Sequence, residues 1–405
     1  MPSSAEALAG KLRIDDLEPQ GRRVLLRADL NLPVQGGVVT DMTRVTAMLP
    51  TLRTLLAAGA AVVVMSHRGR PNGETPEEFS MAPVAEAMRL VLGHEVILLE
   101  DCIGDKVETA VQALVPGDVA LLENLRCHPG ETANDAEFAC RLASLADLYV
   151  DDAFGAVHRA HASIIGVPPL VEVAAAGHLL ELEVQMLSRC LDEPAKPFVL
   201  VAGGAKVSDK LDALANLMPL VDRLIIGGAM ANTVLTYQGI DMGNSRIEED
   251  AIELAAVLLE CAELNGVEIL LPYDFVVAAD LGDAASARVV RQVPATTMVF
   301  DIGPESIERF ASAIADAQTV LWNGPMGVFE IDELAGGTQG IGSAIADVAG
   351  RGGISIVGGG DTAAAVSAAG LSSSMTHVST GGGATLDLLS GSVLPGIVAL
   401  TDRCA

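Results

Sequence analysis

Phe198–Leu211, FVLVAGGAKVSDKL, packs a short apolar run, two glycines and two lysines four residues apart into one stretch. The pattern predicts a buried strand over Phe198–Ala202, a tight turn at Gly203 and Gly204 where backbone can approach a ligand, and a helix carrying Lys206 and Lys210 on one face. Amide donors and ammonium groups at the head of a helix suit a phosphate. The Walker A pattern is not met, since it requires Ser or Thr directly after the lysine and Val207 follows Lys206. Alone, the stretch leaves open a phosphate turn or an ordinary αβ connection with two surface lysines.

The same order of apolar run, turn and amphipathic helix repeats along the chain. It recurs at VLLRADL from Val24, AAVVVMSH from Ala60, EVILLED from Glu95, DVALLENLR from Asp118 and LADLYVDDAF from Leu145. Beyond the opening stretch it returns at DRLIIGG from Asp222, VEILLPYDF from Val267, TVLWNG from Thr319 and ISIVGGG from Ile354. Such alternation predicts an α/β protein with doubly wound, Rossmann-like parallel sheets covered by helices on both faces. Val171–Cys190 followed by DEPAKP reads as a hinge helix, ended by Pro194 and Pro197, between two domains of similar size. A length of 405 residues is ample for two such cores.

The charge balance is acidic, 25 Lys plus Arg against 53 Asp plus Glu, a net charge of -28 that argues against general binding of nucleic acid or anionic membranes. Residues 1 to 190 nevertheless hold 13 arginines and only 2 lysines. Arginine forks recognise phosphate and carboxylate, so this half invites a small anionic ligand, although solvated surface explains many of these residues. Cys102, Cys127, Cys140, Cys190, Cys261 and Cys404 form no CxxC pair and no Cys/His metal spacing, and read as reduced, mostly buried thiols. The N-terminus lacks a cationic start followed by an apolar core, and no apolar run reaches about 18 residues, so a cytoplasmic protein is expected.

In the first half, RADLNLP sets Asp29 and Asn31 at a strand end, where alternate residues share a side. Arg44 falls early in a helix. SHRGRP supplies His67, Arg68 and Arg70 after a buried strand, ENLRCHPGE supplies Arg126, and DDAFGAVHRAHAS supplies Asp152, His158, Arg159 and His161. The HxxH pair lacks a cysteine pair or carboxylate frame, which favours helix-face histidines over a metal site. Jointly the arginines describe a cationic pocket. In the second half, GGGDT and GGGAT offer backbone amides before helices, Asp361 could hold a phosphate-bound magnesium, and Glu330 could accept from a ribose. Gly358, Gly360 and Ala363 also satisfy GxGxxA, a dinucleotide turn, but the next strand region MTHVSTGGG brings no acidic residue before Asp387. A bilobed solute-binding protein is the remaining class, and it wants a secretion signal.

RADLNLP, SHRGRP, ENLRCHPGE, DAFGAVHRAHAS, GGAKVSDKL, WNGPMGVFE, GGGDT and STGGGAT, in this order over essentially the whole chain, resemble the phosphoglycerate kinase family. The resemblance implies an N-terminal 3-phosphoglycerate domain over 1–188 with a returning segment 393–405, and an Mg-nucleotide domain over 189–392. It implies that Asp29, Leu30, Asn31, Arg44, His67, Arg68, Gly69, Arg70, Arg126 and Arg159 bind the acid substrate. Lys206, Lys210, Asn323, Glu330, Gly359, Gly360, Asp361 and Thr362 would bind nucleotide, with Asp361 on Mg2+ and with Arg44, Lys210 and Gly360 catalytic. The implied reaction moves a phosphoryl group between 1,3-bisphosphoglycerate and ADP, by domain closure and without a general base, in a monomer whose partners are small molecules. Two departures stand out: Cys127 replaces a common aromatic residue, and Asn244 a frequent lysine.

Overall fold

The computed structural model describes residues 3–71 and 77–403. The chain divides into two compact units, one comprising residues up to Gln185 together with Ser392 onward, the other Met186–Gly391.

In the first unit the strands are β1 (Arg23–Ala28), β2 (Val34–Gln35), β3 (Val38–Val39), β4 (Ala61–Met65), β5 (Ile97–Leu98), β6 (Val119–Leu121), β7 (Leu148–Asp152) and β8 (Val173–Ala176). β2 and β3 form a small antiparallel ribbon, and the other six make a parallel sheet in the order β5-β6-β4-β1-β7-β8. β1 lies between β4 and β7, with Val24 opposite both Val62 and Leu148. Val24, Leu25 and Leu26 are fully buried, which explains the unbroken apolar run: a central parallel strand has no solvent face. One side packs Met48, Leu52 and Leu55 of the Thr43–Ala57 helix into the core.

β8 corrects the expected all-helical Val171–Cys190. An alanine-rich segment reads as helix by propensity, yet Val173–Ala176 pairs with β7, and the helix is confined to His178–Ser188. The returning C-terminal segment ties onto this edge. Thr401 donates its backbone N–H to Ala174 O at 2.9 Å, and Lys11 Nζ donates to Val398 O and Leu400 O at 2.9 and 2.8 Å.

The second unit holds β9 (Phe198–Ala202), β10 (Arg223–Ile226), β11 (Glu268–Leu270), β12 (Phe275–Ala278), β13 (Arg288–Val290), β14 (Met298–Ile302), β15 (Thr319–Asn323), β16 (Ile354–Gly358) and β17 (His377–Val378). Six of them form a parallel sheet in the order β11-β10-β9-β15-β16-β17. The stretch VEILLPYDF, one strand by pattern, is two. β11 ends before Pro272, and Phe275 begins an antiparallel sheet of order β13-β12-β14 with its own apolar cluster of Leu235, Met242, Phe275, Val277 and Val293. Short strands separated by a proline carry no local mark of which sheet they join. Trp322 is fully buried in the main core between β9 and β16. No helix among the described residues is long and apolar enough to cross a membrane.

Candidate active site

In the first unit the predicted residues gather beyond the carboxyl ends of β1, β4, β6 and β7, where open α/β sheets bind ligands. Asp29 and Asn31 lie past the end of β1 rather than on it, so strand alternation does not align them. Arg44 does: its Nη1 donates to Asp29 Oδ1 at 3.2 Å and to Asn31 O at 3.1 Å. Asn31 Oδ1 in turn accepts from Gly69 N at 2.9 Å, and Arg126 Nη1 donates to Gly69 O at 2.8 Å. Leu30 is fully buried and contributes a backbone N–H to Ser66 Oγ at 2.8 Å. Arg68 points its guanidinium at Ser80 O, 2.9 Å away.

Arg70, Arg126 and Arg159 line a cavity of about 420 Å³ with Thr132 and His161. Burial, together with the charges of Arg159, Arg27 and Arg70, pulls Arg126 down to about 10. Its Nε is buried with no hydrogen-bond partner among the described residues. A guanidinium that is desolvated, crowded by like charges and short of an acceptor is a standing demand for an anion. His67 is held neutral. Burial first, then the surrounding arginines, lower it well below its ordinary value, and Nδ1 accepts from Arg27 Nη2 at 3.1 Å, leaving Nε2–H as its donor.

Sequence reasoning missed the support beneath this face. Arg27 is fully buried on β1, donating from Nε to Ser163 Oγ at 2.9 Å, and Ser163 donates from the same oxygen to Glu131 Oε1 at 2.7 Å. An arginine inside an apolar strand was the available signal. The histidine reading also needs correction: His158 sits in a turn and His161 caps the Ala162–Gly166 π-helix, so they share no helix face. His161 Nδ1 lies 3.7 Å from Glu131 Oε1.

In the second unit the glycine turn after β9 forms as expected, but the helix begins only at Leu211. Lys206 and Lys210 therefore share no helix face: Lys206 is exposed on the loop, and Lys210 stands at the helix cap. Lys210 Nζ donates to Gly203 O at 2.5 Å and Asn323 O at 2.8 Å. Burial pulls it down to about 8, opposed by the carboxylates of Asp361 and Asp209. Gly203 is required by the close approach of the β15 turn, where a Cβ would collide with Pro325 O and Gly324 O. The loop is pinned by Glu248, which accepts from Val207 N at 2.7 Å.

Gly359, at φ +90, caps the Gly360–Ala368 helix, whose first amides lack intrahelical acceptors. Asp361 stands in that first turn, and Thr362 Oγ1 accepts from Gly324 N at 2.7 Å. Asn323 is buried, and its Nδ2 has no hydrogen-bond partner among the described residues. A cavity of about 460 Å³ opens here; Asp361 and Glu330 line it together with Asn232, Arg246, Phe275 and Phe300. Arg246 and Asn232 were not expected from sequence; the acidic run around DMGNSRIEED carried the only hint.

A family model described as phosphoglycerate kinase matches residues 14–392. The chain belongs to the phosphoglycerate kinase family. A phosphoglycerate kinase of Moorella thermoacetica is 51% identical over 395 residues, covering 97% of this chain and 100% of that protein. Phosphoglycerate kinase structures from Coxiella burnetii and Pyrococcus horikoshii OT3 match at TM-scores of 0.82 and 0.86 with 41% and 31% identity, each covering 96% of this chain and 98% of theirs. Phosphoglycerate kinases are glycolytic phosphotransferases with a carboxyl group as acceptor, and this chain is one of that class. The doubly wound, two-domain fold read from the strand order is the fold of these structures. Dinucleotide oxidoreductase and solute-binding readings fall away. Within the family pattern, Asn244 lies exposed, and Arg246 two residues on lines the cavity, so a cation absent at one position is present at the other.

Proposed function

We propose that the arginine face binds 3-phosphoglycerate or its acyl phosphate through Asp29, Asn31, Arg44, His67, Arg70, Arg126 and Arg159, with Leu30 and Gly69 contributing backbone. The second unit then binds ADP or ATP through Lys206, Lys210, Asn323, Glu330 and Gly359–Thr362. The observation that carries this reading is the pairing of two unmet demands: the crowded Arg126 lining the cavity of the first unit, and in the second unit the unpartnered Asn323 Nδ2 beside Lys210.

Magnesium fits the second cavity. Mg2+ takes one or two carboxylates and completes its shell with phosphate oxygens and water, and Asp361 is an exposed carboxylate at a helix head near Lys210. Bound as Mg-nucleotide, it would neutralise phosphate charge there.

The chemistry asks little of the protein by way of proton transfer. A carboxylate and an ADP phosphate oxygen are already ionised at pH 7, so no general base is needed, and neutral His67 serves as a donor. Alignment and charge stabilisation remain. Arg44, Lys210 and the Gly360 amide clamp the equatorial oxygens of the phosphoryl group during in-line transfer. Arg68, committed to Ser80 O, acts through the loop it holds.

Coupling ATP-dependent phosphorylation of 3-phosphoglycerate to reduction of its product tests the activity directly; absence of turnover with Mg-ATP overturns it. Mg-ADP is expected to change the fluorescence of Trp322, whose Nε1 donates to Gly324 O at 2.8 Å on the nucleotide turn, whereas NADPH leaves it unchanged. Arg246→Ala is expected to raise the nucleotide KM by about 10-fold, the loss of one charge-assisted hydrogen bond, with kcat retained. A fall in kcat at constant KM would remove Arg246 from ground-state binding.

Because the two substrates are assigned to different units, transfer calls for closure about the His178–Ser188 helix, which also excludes water. Small-angle scattering is expected to give a smaller radius of gyration with both ligands than with either alone; equal radii overturn closure. The free thiols among the described cysteines support a cytoplasmic setting, and a monomer bearing both sites suffices for the reaction.

A further inference from the structure

Outside the residues assigned to either anion face, the segments following β5 and β6 bring Asp101, Cys102 and His128 together. A carboxylate oxygen, Sγ and an imidazole nitrogen lie within 4.8 Å of one another, and no second group of this kind occurs among the described residues. Sequence spacing concealed it, because the cysteine and the histidine come from different loops, brought side by side by the β5–β6 pairing.

We propose that Asp101, Cys102 and His128 form a binding site for a thiophilic divalent cation, best matched by Zn2+, with three protein ligands and a fourth position open to water. The donor set is the first argument. Nitrogen and sulfur ligands select zinc-like ions, whereas the Mg2+ of a nucleotide prefers oxygen alone. The geometry is the second. Bonds of about 2.0 Å to O and N and 2.3 Å to S at tetrahedral angles put ligand atoms roughly 3.3 to 3.5 Å apart. His128 Nε2 and Asp101 Oδ1 now stand 2.6 Å apart, so that contact opens by less than 1 Å while the sulfur closes inward from within the same small radius.

The frame is fixed before any ion arrives. Asp101 Oδ1 accepts from Cys102 N at 2.7 Å, Cys102 Sγ donates to Glu123 O at 3.3 Å, and the His128 ring stacks on Phe138 with centroids 5.2 Å apart. Such outer contacts orient ligands. Burial is graded across the cluster: Cys102 is fully buried, while the His128 and Asp101 side chains are 29% and 46% exposed. The sulfur side is therefore closed and the carboxylate side is open for entry and for a water ligand. His128 directly follows the Leu125–Cys127 turn that carries Arg126, so the ion would staple the turn beneath the arginine face to the loop after β5.

The test is titration of the metal-stripped full chain with Co2+, followed by the thiolate-to-cobalt charge-transfer absorption and competed with Zn2+. One equivalent is expected to develop the band. Cys102→Ala should abolish it, and Cys140→Ala, which removes an exposed thiol, should leave it intact. Asp101→Asn keeps the oxygen that receives Cys102 N–H and should weaken Zn2+ binding by more than about 10-fold, since loss of outer contacts alone costs about 10- to 100-fold. It supplies the same test if Cys102→Ala does not fold. Zn2+ should raise the Tm of the wild type and not that of Asp101→Asn. Absence of the band, its loss in Cys140→Ala rather than Cys102→Ala, or an equal Tm rise in wild type and Asp101→Asn overturns the site.

Discussion

Replacing Lys210 by alanine is expected to lower kcat by about 10³ to 10⁵, the range for removing a cation that clamps a transferring phosphoryl group. Two backbone carbonyls hold the ammonium, Gly203 O on the β9 turn and Asn323 O on the β15 turn, so it is placed by both central strands of its sheet. The bonds cost no rearrangement during the reaction, which is what makes such a charge effective. Turnover measured at saturating substrates separates this from weaker binding: a raised KM with near-normal kcat would give Lys210 a ground-state role only. The pH dependence provides an independent check. Burial lowers Lys210 from 10.5 to about 8, so the charged form proposed to meet phosphoryl oxygens is lost as pH rises through about 8. In the ligand-free enzyme kcat/KM is expected to fall over that window. Bound phosphates favour the ammonium form and push the corresponding fall in kcat to higher pH. Lys210→Arg stays charged and should lose this alkaline limb.

Arg44→Ala is expected to produce a fall in kcat of similar size, about 10³ to 10⁵, by the same clamping argument from the other substrate. The guanidinium is positioned by Asp29 Oδ1 and Asn31 O, and it emerges from the second residue of the Thr43–Ala57 helix, where the helix dipole adds positive potential. Asp29 and Asn31 O both hold Nη1, and a planar guanidinium with five donors suits an anion. Arg44→Lys keeps charge but not the fork, and should recover only part of the rate. Steady-state kinetics in the direction of ATP use decides it: if Arg44→Ala changes KM for 3-phosphoglycerate while kcat holds, its role is binding.

Much of the architecture was legible because its signals are local. Val24–Leu26 and Phe198–Ala202 are continuous apolar runs, which central parallel strands require, and each ends in a turn that the sequence marks by glycine, asparagine or aspartate. The errors have a common origin. Val173–Ala176 looks helical by composition and becomes an edge strand by pairing with β7. Lys206 and Lys210 have helical spacing, yet the cap falls at Lys210 because Gly203 and Gly204 are drawn against the β15 turn and Val207 is held by Glu248. Propensity is a weak prior, and contacts from distant sequence override it.

The sequence alone determined the alternating α/β order and the two main parallel sheets, and it marked many of the side chains proposed to meet phosphate and carboxylate, since hydrophobic period and turn chemistry act over a few neighbouring residues. Tertiary structure decided what those side chains can do. It turned Arg68 toward Ser80, buried Arg27 beneath His67, brought Arg246 to a cavity wall, and set Asp101 and Cys102 against His128. Desolvation and charge crowding arise only once distant segments are packed together, so the lowered values of Lys210 and Arg126, and with them their demand for a phosphate or carboxylate, belong to the fold.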